Sequence, residues 1–293
     1  HLLPGTEMDD KDYRAKYFKK TGFRLHDNSY GIYLGQKVFE AQETVLETST
    51  LSVQDFRYFR FFHFLLQMMW GKKWYYNYLI FLKSSHTINP VDFIDQLADE
   101  IRLSENAINK MYKSFMKDYD DAESFQSYED LEKYWSEDKN FLRLKNGDYG
   151  KLNMLYTYKI ILDLRQEFNE LLINFTKKIV NKYKINDPDF IDKCEEILRF
   201  QNLKFLKINN ENKLQNEDIG KFKYNILGWI KNNYLNLEKH NKMETYKFYL
   251  TKEQFETIET QLNQNKSKNI NSKLRDMSVY TSTNQFFYDV AIN

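Results

Sequence analysis

The sequence predicts a mainly α chain with a small α/β portion at its N-terminus and a few strands near its C-terminus. Three observations predict it. Only 3 prolines and 9 glycines punctuate 293 residues, too few for a turn-rich β-sandwich. Apolar residues recur at steps of three and four along most of the chain, the period of one helix face. Strand-like signals are confined to the first fifty residues and to ETYKFYL, 244–250.

The elements follow in order. LLP, residues 2–4, reads as a strand stopped by Pro4 and turned at Gly5. A strand end is a poor place for a fold to begin, so the chain reads as the back part of something longer. Asp9–Lys20 is predicted helical, and FRLH and YGIYLGQKVFEA give short extended stretches punctuated by Gly22, Gly31 and Gly35. Ser52 with Asp55 three residues on is a capping box ahead of the aromatic run Phe56–Trp70. Gly71 interrupts, and a helix resumes to Lys83. Asn89-Pro90 starts the next helix, with Phe93, Ile94, Leu97 and Ile101 on one face. An acidic stretch from Asp118 to Trp135 leads to a turn at NGDYG, 146–150.

Leu152–Ile185 is the longest regular segment, and Asp187-Pro188 starts the helix that carries Cys194. INNENKLQNED, 208–218, reads as a connector, and Phe222, Ile226, Trp229 and Ile230 as a helical stripe. Tyr246, Phe248 and Leu250 alternate with polar residues as a strand does. Thr251 and Gln254 cap a last helix to Leu262, followed by a low-complexity loop, 263–273, and a final strand or irregular tail, 279–292.

Apolar residues make up 42% and aromatics 17%, so the chain can bury a sizeable core. The net charge of +1 implies no strong field toward nucleic acid or an anionic membrane, and nucleic acid is not an expected partner. The one cysteine, Cys194, permits no internal disulfide and fits a cytoplasmic setting. The aromatic run is too short and too charged to span a bilayer, so no membrane partner is expected. A P-loop, a dinucleotide glycine fingerprint, a Gly-x-Ser-x-Gly elbow and a His-Glu-x-x-His helix are all absent from the sequence.

Four patterns taken together resemble one family. LLPGTEM at 2–8, FRLH at 23–26, YGIYLG at 30–35 and FEAQETVLETSTLSVQDF at 39–56 resemble the downstream part of radical SAM proteins with a cobalamin-binding domain. The long run carries Phe39, Glu40, Glu43, Val45, Thr48, Thr50, Ser52 and Asp55. The resemblance implies that residues 1–50 are the last strand and C-terminal extension of a partial (β/α) radical SAM barrel. Residues 51–293 are then a mostly helical accessory domain. The family's cluster is held by a Cys-x3-Cys-x2-Cys loop that this chain lacks, so the chain alone holds no cofactor and is inactive. The parent is implied to use a 4Fe-4S cluster, SAM and cobalamin, with methyl transfer or another radical transformation as the reaction. The implied partners are the upstream radical SAM and cobalamin-binding domains of the same polypeptide.

The candidate site residues carry two readings each. Leu3, Pro4 and Gly5 are either a strand-ending turn or, as the resemblance implies, the positions nearest the cofactor. Thr6, Arg24 and Glu43 are candidates for substrate contact or support. Glu40 and Glu43 share a face if their segment is helical, and Arg24 either clamps an anion or pairs internally with one of them. His63 is a core histidine or a ligand, and His26 and His86 have no metal-site spacing around them. Met68, Met69, Trp70, Trp74, Tyr75 and Tyr76 are helix core or a pocket wall. Cys194 is a small buried hydrophobe. The competing function is a non-catalytic helical protein-interaction domain.

Overall fold

The computed structural model describes residues 2–146, 149, 151–209, 213–265, 273–274, 276–277 and 283–292. Within them run α1 (Lys11–Tyr17), β1 (Phe18–Tyr33), β2 (Gln36–Thr48), α2 (Val53–Leu66), α3 (Tyr76–His86), α4 (Pro90–Leu103), α5 (Ala107–Ala122), α6 (Tyr128–Ser136) and α7 (Asp138–Lys145). Then come α8 (Leu152–Asp163), α9 (Arg165–Tyr183), α10 (Phe190–Lys204), β3 (Glu217–Tyr224), α11 (Ile226–Lys231), β4 (Lys239–Tyr249), α12 (Lys252–Gln264) and β5 (Asp289–Ile292). The chain is mainly helical, with two small antiparallel sheets among the described residues. It forms two compact units: unit 1, His1–Phe64 with Glu105–Tyr156, and unit 2, Leu65–Ser104 with Thr157–Asn293. Both are built from separated stretches, whereas the sequence reading draws one boundary between residues 50 and 51.

Unit 1 is organised by a hairpin, and here the expectations change most. Residues 2–3 are not a strand; Leu2 N–H makes one strand-like bond to Glu43 O at 2.9 Å, and a turn follows. The first helix ends at Tyr17, because Phe18 already belongs to β1. The short extended pieces are two long strands paired antiparallel, joined at Leu34-Gly35. Both turn residues have positive φ, +50° and +82°, which suits the right-handed twist of a two-residue hairpin. Gly22 sits inside β1 rather than punctuating it. A Cβ there would lie 2.6 Å from Leu46 Cδ1 and 3.0 Å from Phe125 O, so the missing side chain is what lets the strand approach. The backbone of Phe23 also exchanges hydrogen bonds with Phe125.

The Ser52–Asp55 capping box is formed in both directions, and α2 delivers Phe61 and Phe64 against Phe115 of α5. The acidic stretch is the end of α5 and all of α6, which buries Leu131 and Trp135. The NGDYG turn lies largely outside the described residues.

In unit 2, a π-helical turn at Gln67–Gly71 precedes α3. Met68, Met69, Trp74 and Tyr75 are buried core, with Trp70 and Tyr76 half-buried. Asn89 caps α4 as predicted, and Phe93, Ile94, Leu97 and Ile101 are fully buried. The long predicted helix is two, α8 and α9, broken at Leu164. The predicted helical stripe from Phe222 is corrected: Phe222 belongs to β3, whose buried Gly220, Phe222 and Tyr224 alternate with exposed lysines. Phe222 stacks on Tyr246 of β4 and packs on Phe200 of α10. The sheet order is β3-β4-β5, and the Thr251–Gln254 capping box starts α12. The low-complexity loop lies mostly outside the described residues, as does the part of the tail before Thr283.

Candidate functional site

In unit 1, β1, β2, α2 and the end of α5 enclose a cleft of about 390 Å³. The N-terminal segment contributes Met8 to it, and Arg24, Thr44, Arg60, Tyr119 and Glu123 supply its polar lining. Arg60 reaches the cleft from α2, between the aromatic residues Phe59 and Phe61. Its Nε donates to Glu123 Oε2 at 3.1 Å, and its Nη2 donates to both carboxylate oxygens at 3.3 and 2.9 Å. Nη1 donates to Asn153 Oδ1, and the guanidinium lies 5.1 Å from the Phe115 ring. The side chains are only 15% and 9% exposed, so each charge depends on the other for its burial. Burial, and then Glu123, push the Tyr119 phenol up to about 12. His63, one turn along α2, is exposed and not a core histidine; partial desolvation and then Arg60 hold it below its ordinary value. Its Nδ1 meets Asn153 Nδ2 at 3.4 Å.

Arg24 extends from β1, and its Nε and Nη2 donate to Gln42 Oε1 at 3.3 and 3.0 Å. The lining therefore holds two guanidinium groups, Arg60 paired with Glu123 and Arg24 bonded to Gln42. Such a cleft can take an anionic group, because arginine presents a planar fork that matches carboxylate and phosphate.

The other sequence candidates lie in the segment beside it. Leu3 is 60% exposed, and Pro4, Gly5 and Thr6 form an exposed turn in which Gly5 has φ +80°. Thr6 Oγ1 donates to Leu3 O at 2.8 Å, and Gly5 N–H donates to Asp9 Oδ2 at 3.2 Å. Asp9 accepts from Arg14, whose other amino group reaches Glu43. Glu43 thus ties α1 to β2, and its partner is Arg14, not Arg24. The reading that Glu40 and Glu43 share a face is corrected, since a three-residue step on strand β2 puts them on opposite faces. Of the predicted site residues, Arg24 lines the cleft.

Arg60, Glu123, Tyr119 and Thr44 were not singled out by sequence as site residues. One signal was present: Arg60 interrupts an apolar helix face, where a charge calls for a partner. The partner, 63 residues away, carries no local signature.

Elsewhere the candidates are structural. His26 Nδ1 meets Ser29 Oγ at 2.7 Å, and His86 lies 3.9 Å from Asp187. Cys194 is wholly buried in α10, and burial pushes its thiol far up. One cysteine cannot supply the three thiolates of a cluster loop. Among the described residues no group of three or more His, Cys, Asp or Glu is placed to hold a metal ion, and no helix is long and apolar enough to cross a membrane. No family model and no curated protein matches the chain.

Proposed function

We propose that the chain is the C-terminal portion of a cobalamin-dependent radical SAM enzyme, and that the cleft of unit 1 receives an anionic group of its substrate. The observation that carries the reading is the meeting of two of the resembling stretches in that cleft. Arg24 belongs to the stretch whose order resembles the family, and Met8 of the LLPGTEM segment lines the same cleft. In this reading residues 1–50 complete the wall of the partial barrel. The helical remainder covers the substrate and keeps water from it. Leu3, Pro4 and Gly5 lie nearest the cofactor; Arg24 holds the anion, with Thr6 and Glu43 supporting the turn and α1. The cluster, SAM and cobalamin belong to upstream domains of the same cytoplasmic polypeptide, since this chain's thiol does not fit a cluster.

The coding sequence ahead of His1 tests the assignment. The expected result is a Cys-x3-Cys-x2-Cys motif a domain's length upstream, with iron, sulfide and cobalamin in the anaerobically purified product of that reading frame. An initiating Met just before His1 and no such motif would sink it. The cleft is tested separately by Arg24→Gln in the same product, which raises KM for an anionic substrate with little change in kcat.

A second reading, a helical protein-interaction domain, is favoured by the tip of the β1–β2 hairpin. Ile32, Tyr33 and Leu34 are 54, 69 and 106% exposed, an apolar tip on a two-residue turn. A partner released by Leu34→Asp, from a chain whose reading frame carries no cofactor, is the outcome that selects it.

A further inference from the structure

Unit 2 contains a second arginine whose surroundings are unlike those of Arg60. Arg165 opens α9 and lines a solvent-open cavity of about 720 Å³ with Gln166, Asn169 and Asn202. Its Nε donates to Ile161 O at 2.7 Å and its Nη1 to Asn202 O at 3.4 Å, both neutral carbonyls. The guanidinium lies 5.1 Å from the Phe205 ring, on which Tyr75 also packs at 6.3 Å. No carboxylate of the described residues forms an ion pair with it. Burial lowers its proton affinity, and the groups that act back on it are the phenols of Tyr75 and Tyr288.

The polar atoms around it are also unsatisfied. Tyr75 is wholly buried, and its hydroxyl has no hydrogen-bond partner. The Oδ1 atoms of Asn169 and Asn202, both lining the cavity, are buried without partners as well. A partly desolvated charge and two orphaned carboxamide oxygens on the residues of one cavity are a costly arrangement for a fold alone, and a ligand that satisfies them removes the cost. The rim has the opposite sign, since Asp163, Glu167 and Glu170 line the same cavity and are exposed.

We infer that this cavity binds a small zwitterion of the amino-acid class, its carboxylate on the Arg165 guanidinium and its ammonium toward the rim carboxylates. Carboxylate matches the arginine fork, while the acidic rim repels a multiply charged anion such as phosphate. The Asn169 and Asn202 carboxamides supply donors to the carboxylate and acceptors to the ammonium. The inference is independent of the reading of unit 1.

Calorimetric titration of the 293-residue chain tests it, using each common L-amino acid singly and acetate, methylammonium and inorganic phosphate as separated charges. The expected result is saturable binding of at least one amino acid, with acetate and methylammonium each at least about tenfold weaker. Arg165→Gln weakens that binding by about tenfold or more, the scale of a lost charge-assisted pair. Asn169→Ala, which removes a carboxamide of the same cavity, weakens it severalfold and serves where Arg165→Gln does not fold. Glu167→Gln with Glu170→Gln weakens the amino acid but leaves acetate unchanged. Binding of no amino acid, binding unaffected by Arg165→Gln or, where that variant does not fold, by Asn169→Ala, or phosphate binding tighter than any amino acid overturns the inference.

Discussion

Two arginines, one in each unit, divide the molecule more sharply than its elements do. Arg60 of unit 1 is gripped by both oxygens of Glu123 and by Asn153. Arg165 of unit 2 is held only by backbone carbonyls and a ring. Each projects from a helix into apolar surroundings, yet one charge is satisfied within the fold and the other is not. A guanidinium matched by a carboxylate specifies which elements meet. One without a carboxylate partner among the described residues, beside a cavity, joins Ile161 and Asn202 through their carbonyls and is the group proposed to meet an anion.

The largest expected effect comes from breaking the matched pair. Glu123→Gln leaves Arg60 buried and uncompensated and costs about 3 kcal/mol or more in urea unfolding. Arg165→Met is expected to be near neutral, within about 1 kcal/mol, in the ligand-free chain, because the desolvated charge it removes offsets the two carbonyl hydrogen bonds it loses and no carboxylate is stranded. Equal losses from both substitutions would erase the distinction between the units.

Alkaline pH probes the same contrast. The phenols of Tyr119 in unit 1 and of Tyr246 and Tyr288 in unit 2 are each pushed up to about 12, chiefly by burial. A group whose folded value lies above its unfolded value of about 10 stabilises the fold fully below that pH. Its contribution is lost as pH rises through about 12. Stability measured against pH therefore falls from about pH 10 upward. In Glu123→Gln the absorbance titration of Tyr119 moves down, since a neighbouring negative charge is gone, while Tyr246 and Tyr288 stay in place.

Smaller effects come from the two capping boxes. Ser52→Ala in unit 1 and Thr251→Ala in unit 2 each lose about 1 kcal/mol by thermal unfolding, a matched pair of controls for the arginine comparison. Smallest is Leu34→Asn at the hairpin tip. Asn suits positive φ better than Leu, and the exposed side chain leaves no contact behind, so stability rises by a few tenths of a kcal/mol.

What could be read from the sequence was local. Ser52 with Asp55, Asn89 with Pro90 and Thr251 with Gln254 each announce a helix start through residues no more than three apart, and all three caps are formed. ETYKFYL shows its alternation openly. The hairpin was hidden because Gly22 and Gly31 look like punctuation, whereas Gly22 answers Leu46 and Phe125, far away in sequence. β3 was hidden by its length and by the helical pattern that runs on into Ile226 and Trp229. At the candidate site only Arg24 was legible. Arg60 and Glu123 make sense as a pair, and a pair 63 residues apart leaves no trace in a window of one helix.

Cys194 offers a different use for a buried side chain. It is the only thiol in the sequence and is wholly shielded within α10. A water-soluble thiol reagent can therefore react only when that part of unit 2 opens, and the reaction marks one chemically defined position. Followed over hours, the labelling rate becomes a clock for local opening around α10, with no probe introduced and no residue replaced.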